Sequence, residues 1–362
     1  MDLVMEPATA AHGLPQPNSG MCAATSAVAD LARPGVARPS MIRSVFAGIG
    51  AYLPELIVTN DELAQSVETS DDWIRERTGI RQRRIAQTHE TCAMMAGRAA
   101  RAALADAGSD GAEVQAIIVA TATPDQAFPA TAMRVQAELG AGGFGFDISA
   151  ACSGFVYALS VADAMIRVGQ VRNVLVIGAE VYSRILNWQD RTTCVLFGDG
   201  AGAVFLRGEV GQGNAADQGI LSTHLHGQGS LGDALYVDGA VGRPEKSGHL
   251  VMNGREVFRH AVAKLSESVQ EALTASGLAM DDIDWLIPHQ ANVRIIDGVA
   301  RKLAFPTERV VVTVDRHANT SAASIPLALA DAYADGRIKR GQLLMMEALG
   351  GGMTWGSALV RF

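Results

Sequence analysis

Cysteine is scarce in this chain: Cys22, Cys92, Cys152 and Cys194 are the only four in 362 residues. They form no Cys-x-x-Cys pair and no histidines cluster at metal-ligand spacing, so neither a disulfide framework nor a zinc site is expected. A reducing, cytoplasmic setting fits best. Positive charge is also in short supply. Thirty Lys and Arg against 38 Asp and Glu leave a formal net charge of −8, which argues against nucleic acid as the main partner. Long apolar runs are missing as well. Stretches such as Val174 to Gly178 and Leu343 to Met346 fall far short of the roughly 18 residues of a membrane span. They read as buried strands, and no membrane association is expected. The start of the chain lacks the basic and apolar regions of a secretory signal, and Asp2 and Glu6 disfavour a transit peptide.

What remains is ample material for a core. The chain is 48% hydrophobic and holds 38 glycines, and its length exceeds twice the roughly 150 residues typical of one domain. Residues 1–40 stand apart, because they carry five of the 12 prolines, no aromatic residue and no sustained periodicity. They read as a flexible extension, either a functional tail or the product of an upstream-assigned start codon.

From Met41 onward, strand-length apolar runs alternate with helical stretches. An Ala-rich helix ends near Gly108, a strand covers Ala116 to Thr121, a helix precedes Leu139, and a strand covers Phe144 to Ile148. This is the pattern of a mainly parallel sheet covered by helices, an α/β fold. The body also repeats itself. Gly198 to Arg207 matches Gly352 to Arg361 in glycine spacing and strand character, and Ala103-Leu104 with Gly108 matches Ala272-Leu273 with Gly277. Two similar halves, 41–212 and 213–362, are expected.

Two motifs do not carry function. Gly140, Gly142 and Gly145 spell a dinucleotide-binding glycine pattern, but a helix precedes it and a strand follows, the reverse of the required order. Asn319-Thr-Ser321 spells a glycosylation sequon without an export signal. A different stretch carries chemistry. Ala150-Ala-Cys-Ser-Gly154 joins a strand to a helix whose apolar positions Phe155, Leu159, Ala162 and Ile166 share one face. Cys152 therefore sits at a helix N-terminus, where unpaired N–H groups and the helix dipole are expected to lower its pKa from about 8.5. Position alone leaves a buried structural cysteine equally open. In the second half, His289 follows a strand and opens a helix, Asn319 lies in another strand-to-helix loop, and Gly350-Gly-Gly352 forms a turn whose N–H groups can face an oxyanion.

Cys, His and Asn at strand ends form a coherent set, and the chain from about residue 41 resembles the thiolase-fold condensing enzymes, specifically the 3-oxoacyl-[acyl-carrier-protein] synthase III family. Glu68 to Ile74, Arg77 to Arg81, Phe197 to Gly202 and Gly350 to Leu359 are similar to that family's segments, in order. Elongating ketosynthases pair Cys with two His, and thiolases use a second Cys. Plant-type polyketide synthases share Cys/His/Asn, but the Trp73 segment and His289-Gln-Ala-Asn292 favour synthase III. The resemblance implies two duplicated βα halves in an α/β/α/β/α stack, and initiation of type II fatty acid synthesis. Cys152 would accept the acyl group of acetyl-CoA or another acyl-CoA, with N–H groups of Cys152 and Gly350 as oxyanion hole. His289 and Asn319 would then stabilise the enolate formed from malonyl carrier protein as CO₂ leaves, with no cofactor. It further implies CoA contacts at Thr69, Trp73, Arg77, Arg191, Arg255, Arg259 and Asn292. Acyl carrier protein would dock on Gln290, Arg294, Arg301 and Lys302, and in a homodimer Phe128 would reach into the partner's acyl pocket. A secondary-metabolite ketosynthase, a non-catalytic acyl-CoA-binding protein and a cysteine hydrolase are the alternatives.

Overall fold

The computed structural model describes residues 41–239 and 242–362. The extension expected over residues 1–40 lies outside the described residues. The first half runs β1 (Met41–Tyr52), β2 (Ile57–Thr59), α1 (Asn60–Leu63), α2 (Asp71–Thr78), β3 (Gln82–Arg84), α3 (Cys92–Asp106), β4 (Ala116–Ala120), α4 (Thr131–Leu139), β5 (Phe144–Ile148), α5 (Gly154–Arg167), β6 (Asn173–Val181) and β7 (Asp199–Gly211). The second half runs β8 (Gly219–Gly227), β9 (Leu235–Val237), β10 (Leu250–Met252), α6 (Gly254–Ser276), β11 (Trp285–Pro288), α7 (Val293–Lys302), α8 (Val314–His317), α9 (Ser324–Ala334), β12 (Leu343–Gly350) and β13 (Thr354–Arg361).

Two sheets dominate, ordered β1-β7-β6-β4-β5 and β8-β13-β12-β11. Their neighbours correspond one for one, for β4 pairs parallel with β6 as β11 does with β12, while β7 and β13 run antiparallel to β6 and β12. The matched glycine segments seen in the sequence fall on β7 and β13. The matched Ala-Leu pairs fall near the ends of α3 and α6. A fifth position in the second sheet is reduced to a single bridge, Leu286 with Val310, and a separate bridge joins Phe197 to Asn319. Here the expected strand-to-helix loop around Asn319 differs, because the short helix α8 intervenes.

Side chains alternate across each strand, and both sheet faces are covered, which explains the nearly continuous apolar runs. On β4, Ile118 and Ala120 join a core with Phe155, Leu159, Ala162 and Ile166 of α5 and Ile325, Ala328 and Leu329 of α9, and this core continues onto Ile287, Leu344 and Met346 of the second sheet. Ile117 and Val119 face the other way, onto Met95, Ala99 and Ala103 of α3. On the far side Leu286, Leu343 and Met345 pack with Leu265, Val269 and Val299 of α6 and α7. The layers are therefore α3/α4, sheet, α5/α9, sheet, α6/α7.

The two buried helices enter through matching elbows. A 3-10 turn, Ala151–Ser153, precedes α5, and another, Ser321–Ala323, precedes α9. Each begins on a non-glycine residue in the left-handed region, Ala151 at φ 44° and Ser321 at φ 49°. Such strain persists where the surroundings over-determine the backbone and concentrates at functional sites.

Candidate active site

Cys152, His289 and Asn319, brought from three loops spread along the chain from position 152 to position 319, line one cavity of about 370 Å³. Cys152 also lines a second cavity of about 640 Å³, walled by Ala122, Thr123, Tyr182, Ile185 and Leu250. Cys152 thus lines both cavities.

The polarity of His289 and Asn319 is set by their partners. The Asn319 backbone is clamped by Leu196 and Gly198, and its side-chain oxygen accepts the Ser321 N–H at 2.9 Å. The amide NH₂ is left to face the cavity as a donor. His289 Nδ1 lies 2.6 Å from the Ser324 hydroxyl, whose oxygen receives the Gln290 N–H at 3.4 Å. A ring that carries its proton on Nε2 accepts the Ser324 hydroxyl at Nδ1, while Ser324 Oγ keeps a lone pair for the Gln290 N–H. Burial lowers the His289 pKa to about 3, so the ring is a neutral donor.

Cys152 departs from the sequence expectation. Burial pushes its thiol up to about 12, outweighing hydrogen bonds from Ser321 and from the N–H groups of Cys152 and Gly351. The reason is that the elbow is enclosed and His289 brings no positive charge, so desolvation dominates over the helix end. Gly351, not Gly350, offers its N–H beside the sulfur, whereas Gly350 packs so closely behind the elbow that a Cβ there would lie 2.6 Å from Cys152 N. The three glycines look alike in sequence, and where the strand ends and the turn begins is a tertiary matter.

Around the cavity mouth stand Arg77, Arg255, Asn292 and Arg294. The guanidiniums of Arg77 and Arg191 lie over the Trp73 ring at 4.6 and 5.3 Å, and Arg191 donates to the Glu68 carbonyl at 2.9 Å. Thr69 is close by in the chain, its buried hydroxyl without a partner among the described residues. Asn292 caps α7 by accepting the Ile295 N–H at 3.0 Å. Arg259 is not among the lining residues; it pairs with Glu256 at 3.6 Å. Arg294, Arg301 and Lys302 are exposed along α7.

Gln290 requires a correction. It is 1% exposed, donates to the Pro288 and Val311 carbonyls, and accepts the Thr313 and Val314 N–H groups. Its amide is consumed in holding the start of α8, so it cannot meet a docking protein. Three residues around the site escaped the sequence reading: Ser321, Ser324 and Gly351. Small hydroxyls at helix starts and one glycine among three carry no distinguishing pattern. Among the described residues no group of three or more His, Cys, Asp or Glu side chains could hold a metal ion.

Comparison with known proteins agrees with this geometry. Residues 146–229 match the 3-oxoacyl-[acyl-carrier-protein] synthase III family, and residues 273–362 match that family's C-terminal region. The chain is 65% identical over 323 residues to the beta-ketoacyl-[acyl-carrier-protein] synthase III of Acidiphilium cryptum, covering 89% of this chain and 100% of the relative. It is 64% identical to that of Granulibacter bethesdensis, covering 89% of this chain and 100% of the relative. The crystal structure of the synthase III from Aquifex aeolicus superposes with a TM-score of 0.82 at 47% identity, covering 89% of this chain and 100% of that one. With these relatives and this Cys/His/Asn cavity, the chain belongs to the beta-ketoacyl-[acyl-carrier-protein] synthase III family of initiating condensing acyltransferases.

Proposed function

We propose that this chain condenses acetyl-CoA, or a related short acyl-CoA, with malonyl carrier protein through an acyl group held on Cys152. The observation that carries this reading is the pairing, in one cavity, of a nucleophilic sulfur with two uncharged N–H donors, from His289 and Asn319. Attack of sulfur on the thioester forms a tetrahedral oxyanion between the N–H groups of Cys152 and Gly351, and CoA departs. Malonyl carrier protein then enters the emptied tunnel. Loss of CO₂ leaves an enolate whose oxygen accepts from His289 Nε2 and Asn319 Nδ2. A charged imidazolium is unnecessary, because a fixed donor in a dry site stabilises developing charge without reorganising. The enolate carbon attacks the acyl-Cys152 carbonyl and the 3-oxoacyl carrier protein leaves. CO₂ release supplies the driving force, so no cofactor is required.

The Trp73 face with Arg77 and Arg191 suits the adenine of CoA, with Thr69 beside it, while Arg255 and Asn292 meet the phosphates and pantetheine. Arg259, outside the tunnel, is kept only for the outer phosphate. Exposed Arg294, Arg301 and Lys302 on α7 offer charge of the sign an acidic carrier protein needs. A homodimer is supported by the uncovered edge of β5 and by Phe128, which is 83% exposed beside exposed Met133 and Phe144. The three described cysteines are free, in keeping with the cytoplasm. No helix among the described residues is long and apolar enough to cross a membrane.

The test is mass spectrometry after incubation with acetyl-CoA, followed by product analysis with malonyl carrier protein. An acetyl increment on the wild type, absent in Cys152→Ala, and a 3-oxoacyl product are expected. An increment that persists in Cys152→Ala, or hydrolysis without condensation, overturns the reading.

A further inference from the structure

His289 and Asn319 reach the cavity from two different stretches of chain, and neither stretch alone fixes the distance between them. β11 ends at Pro288, one residue before His289, while Asn319 follows the four-residue helix α8 by way of Ala318. A helix of one turn has little stability of its own. Its N-cap residue, Thr313, makes no side-chain cap, and the buried Thr313 hydroxyl has no partner among the described residues. The first N–H groups of α8 therefore need an acceptor from another part of the chain.

Gln290 supplies that acceptor. Its side-chain oxygen accepts the Thr313 and Val314 N–H groups at 2.8 and 3.1 Å, and its NH₂ donates to the Pro288 and Val311 carbonyls at 2.8 and 3.0 Å. Two carbonyls on one side and two N–H groups on the other fix which amide atom is oxygen, and all four hydrogen bonds open to the group are made. The bond to Pro288 closes a small ring of chain around His289, whose own N–H is held by the Glu347 carbonyl at 2.8 Å. On the other side, the Val314 carbonyl accepts the Ala318 N–H at 3.0 Å, and the next residue is Asn319, docked on Leu196 and Gly198. A buried amide contributes little apolar packing, yet this one ties the residue beside one enolate donor to the helix that leads into the other.

We infer that Gln290 is a positioning residue for decarboxylation: its amide sets the spacing of the His289 and Asn319 side chains so that both meet one enolate oxygen. Gln290 does not line the cavity, so it acts through these two residues and not on the substrate. Misplacing a catalytic group by about 1 Å costs on the order of 100-fold in rate. The elbow that carries Cys152 is built between β5 and α5 and takes part in none of the four bonds, so acyl transfer is spared.

The inference rests on His289 and Asn319 serving the enolate. Its test compares decarboxylation of malonyl carrier protein with single-turnover acetyl transfer from acetyl-CoA in Gln290→Met, Asn319→Ala and the double variant. Gln290→Met keeps the length of the side chain and removes all four bonds. Decarboxylation should fall about 100-fold, with acetyl transfer nearly unchanged. The double variant should fall well short of the product of the two single losses, because a donor already removed cannot be misplaced, and residues that act through one another are not additive. Gln290→Glu decides the matter if Gln290→Met does not fold. Its carboxylate still accepts from Thr313 and Val314 but cannot donate to Pro288 and Val311, and it should show the same one-sided loss. Equal loss of the two half-reactions, wild-type rates in both, or losses that multiply in the double variant overturn the inference, since a merely structural amide would act in those ways. Failure of the enolate reading itself has a different signature: Asn319→Ala alone would then leave decarboxylation intact, and the role of Gln290 would fall with it.

Discussion

His289 Nδ1 sits 2.6 Å from the hydroxyl of Ser324, the first residue of α9. One residue outside the cavity therefore bears on which imidazole nitrogen carries the proton. Ser324→Ala should let the ring turn over between tautomers and leave Nδ1 unpaired. A buried polar atom without its partner costs about 1 to 3 kcal/mol, so decarboxylation of malonyl carrier protein should fall about tenfold to a hundredfold. Acetyl transfer to Cys152 should be nearly unchanged, and single-turnover assays of the two half-reactions read the difference directly.

His289→Ala and Asn319→Ala extend the same argument. Each removes one donor from the enolate oxygen, which typically costs about 100 to 1,000-fold. Condensation and decarboxylation should drop by that order while each variant still accepts acetyl from CoA. Equal loss of both half-reactions in His289→Ala would instead make His289 the base for Cys152.

Gly350→Ala tests the packing of the elbow. The new Cβ would lie 2.6 Å from Cys152 N and 3.0 Å from Ser153 N, and neither backbone atom can move without turning the cysteine. Acetyl transfer should fall at least about 100-fold, in line with loss of an oxyanion donor. Overpacking should also lower stability by about 1 to 3 kcal/mol, seen as a reduced Tm. An alanine variant with wild-type acylation would show that the elbow position is not needed.

Trp73→Ala should weaken acyl-CoA binding rather than chemistry. Two guanidiniums lie over one indole at 4.6 and 5.3 Å, and exposed contacts of this kind are each worth about 0.5 to 1 kcal/mol. A rise in KM for acyl-CoA of about five- to tenfold, with kcat little altered, is expected from steady-state kinetics. An unchanged KM would move the nucleotide elsewhere.

The pH dependence of stability follows from four buried groups. Burial raises the Glu347 pKa to about 8 and that of Glu180 to about 7. A carboxyl raised on folding stabilises the protein below its unfolded pKa, and the benefit is lost as pH climbs through the folded value. His289 and His317 are depressed to about 3 and 4, so their contribution is present above the unfolded value of 6.5 and declines as pH falls below it. Glu347 is the cleaner probe, since one of its oxygens has no partner among the described residues and no catalytic step uses it. Relative to wild type, Glu347→Gln should gain Tm between pH 5 and pH 8, by an amount growing at up to about 1.4 kcal/mol per pH unit. A Tm difference independent of pH would contradict the assignment.

Alternation of apolar runs and helical stretches marked the α/β body, and the glycine spacings of β7 and β13 exposed the duplication, because strand period and turn glycines are local properties. Cys152 was legible from the strand, the small residues and the amphipathic helix that surround it, all within about twenty positions. Its protonation was not. A helix end predicts a lowered thiol pKa, whereas the actual value depends on how completely β12, β6 and the opposite elbow exclude water and on the absence of a nearby cation, and those belong to segments from 28 to nearly 200 residues away in the chain. The same holds for Gln290, which reads as a surface amide until Thr313 and Val314 are folded onto it, and for Gly351, indistinguishable from its neighbours until the strand end is placed. Sequence by itself determined which chemical groups this protein has to work with and which periodicities build its layers. Only the tertiary structure decided which of those groups are dry, which nitrogen holds a proton and which glycine N–H faces the sulfur, because burial and hydrogen-bond partnership are sums over atoms the chain brings together from both halves.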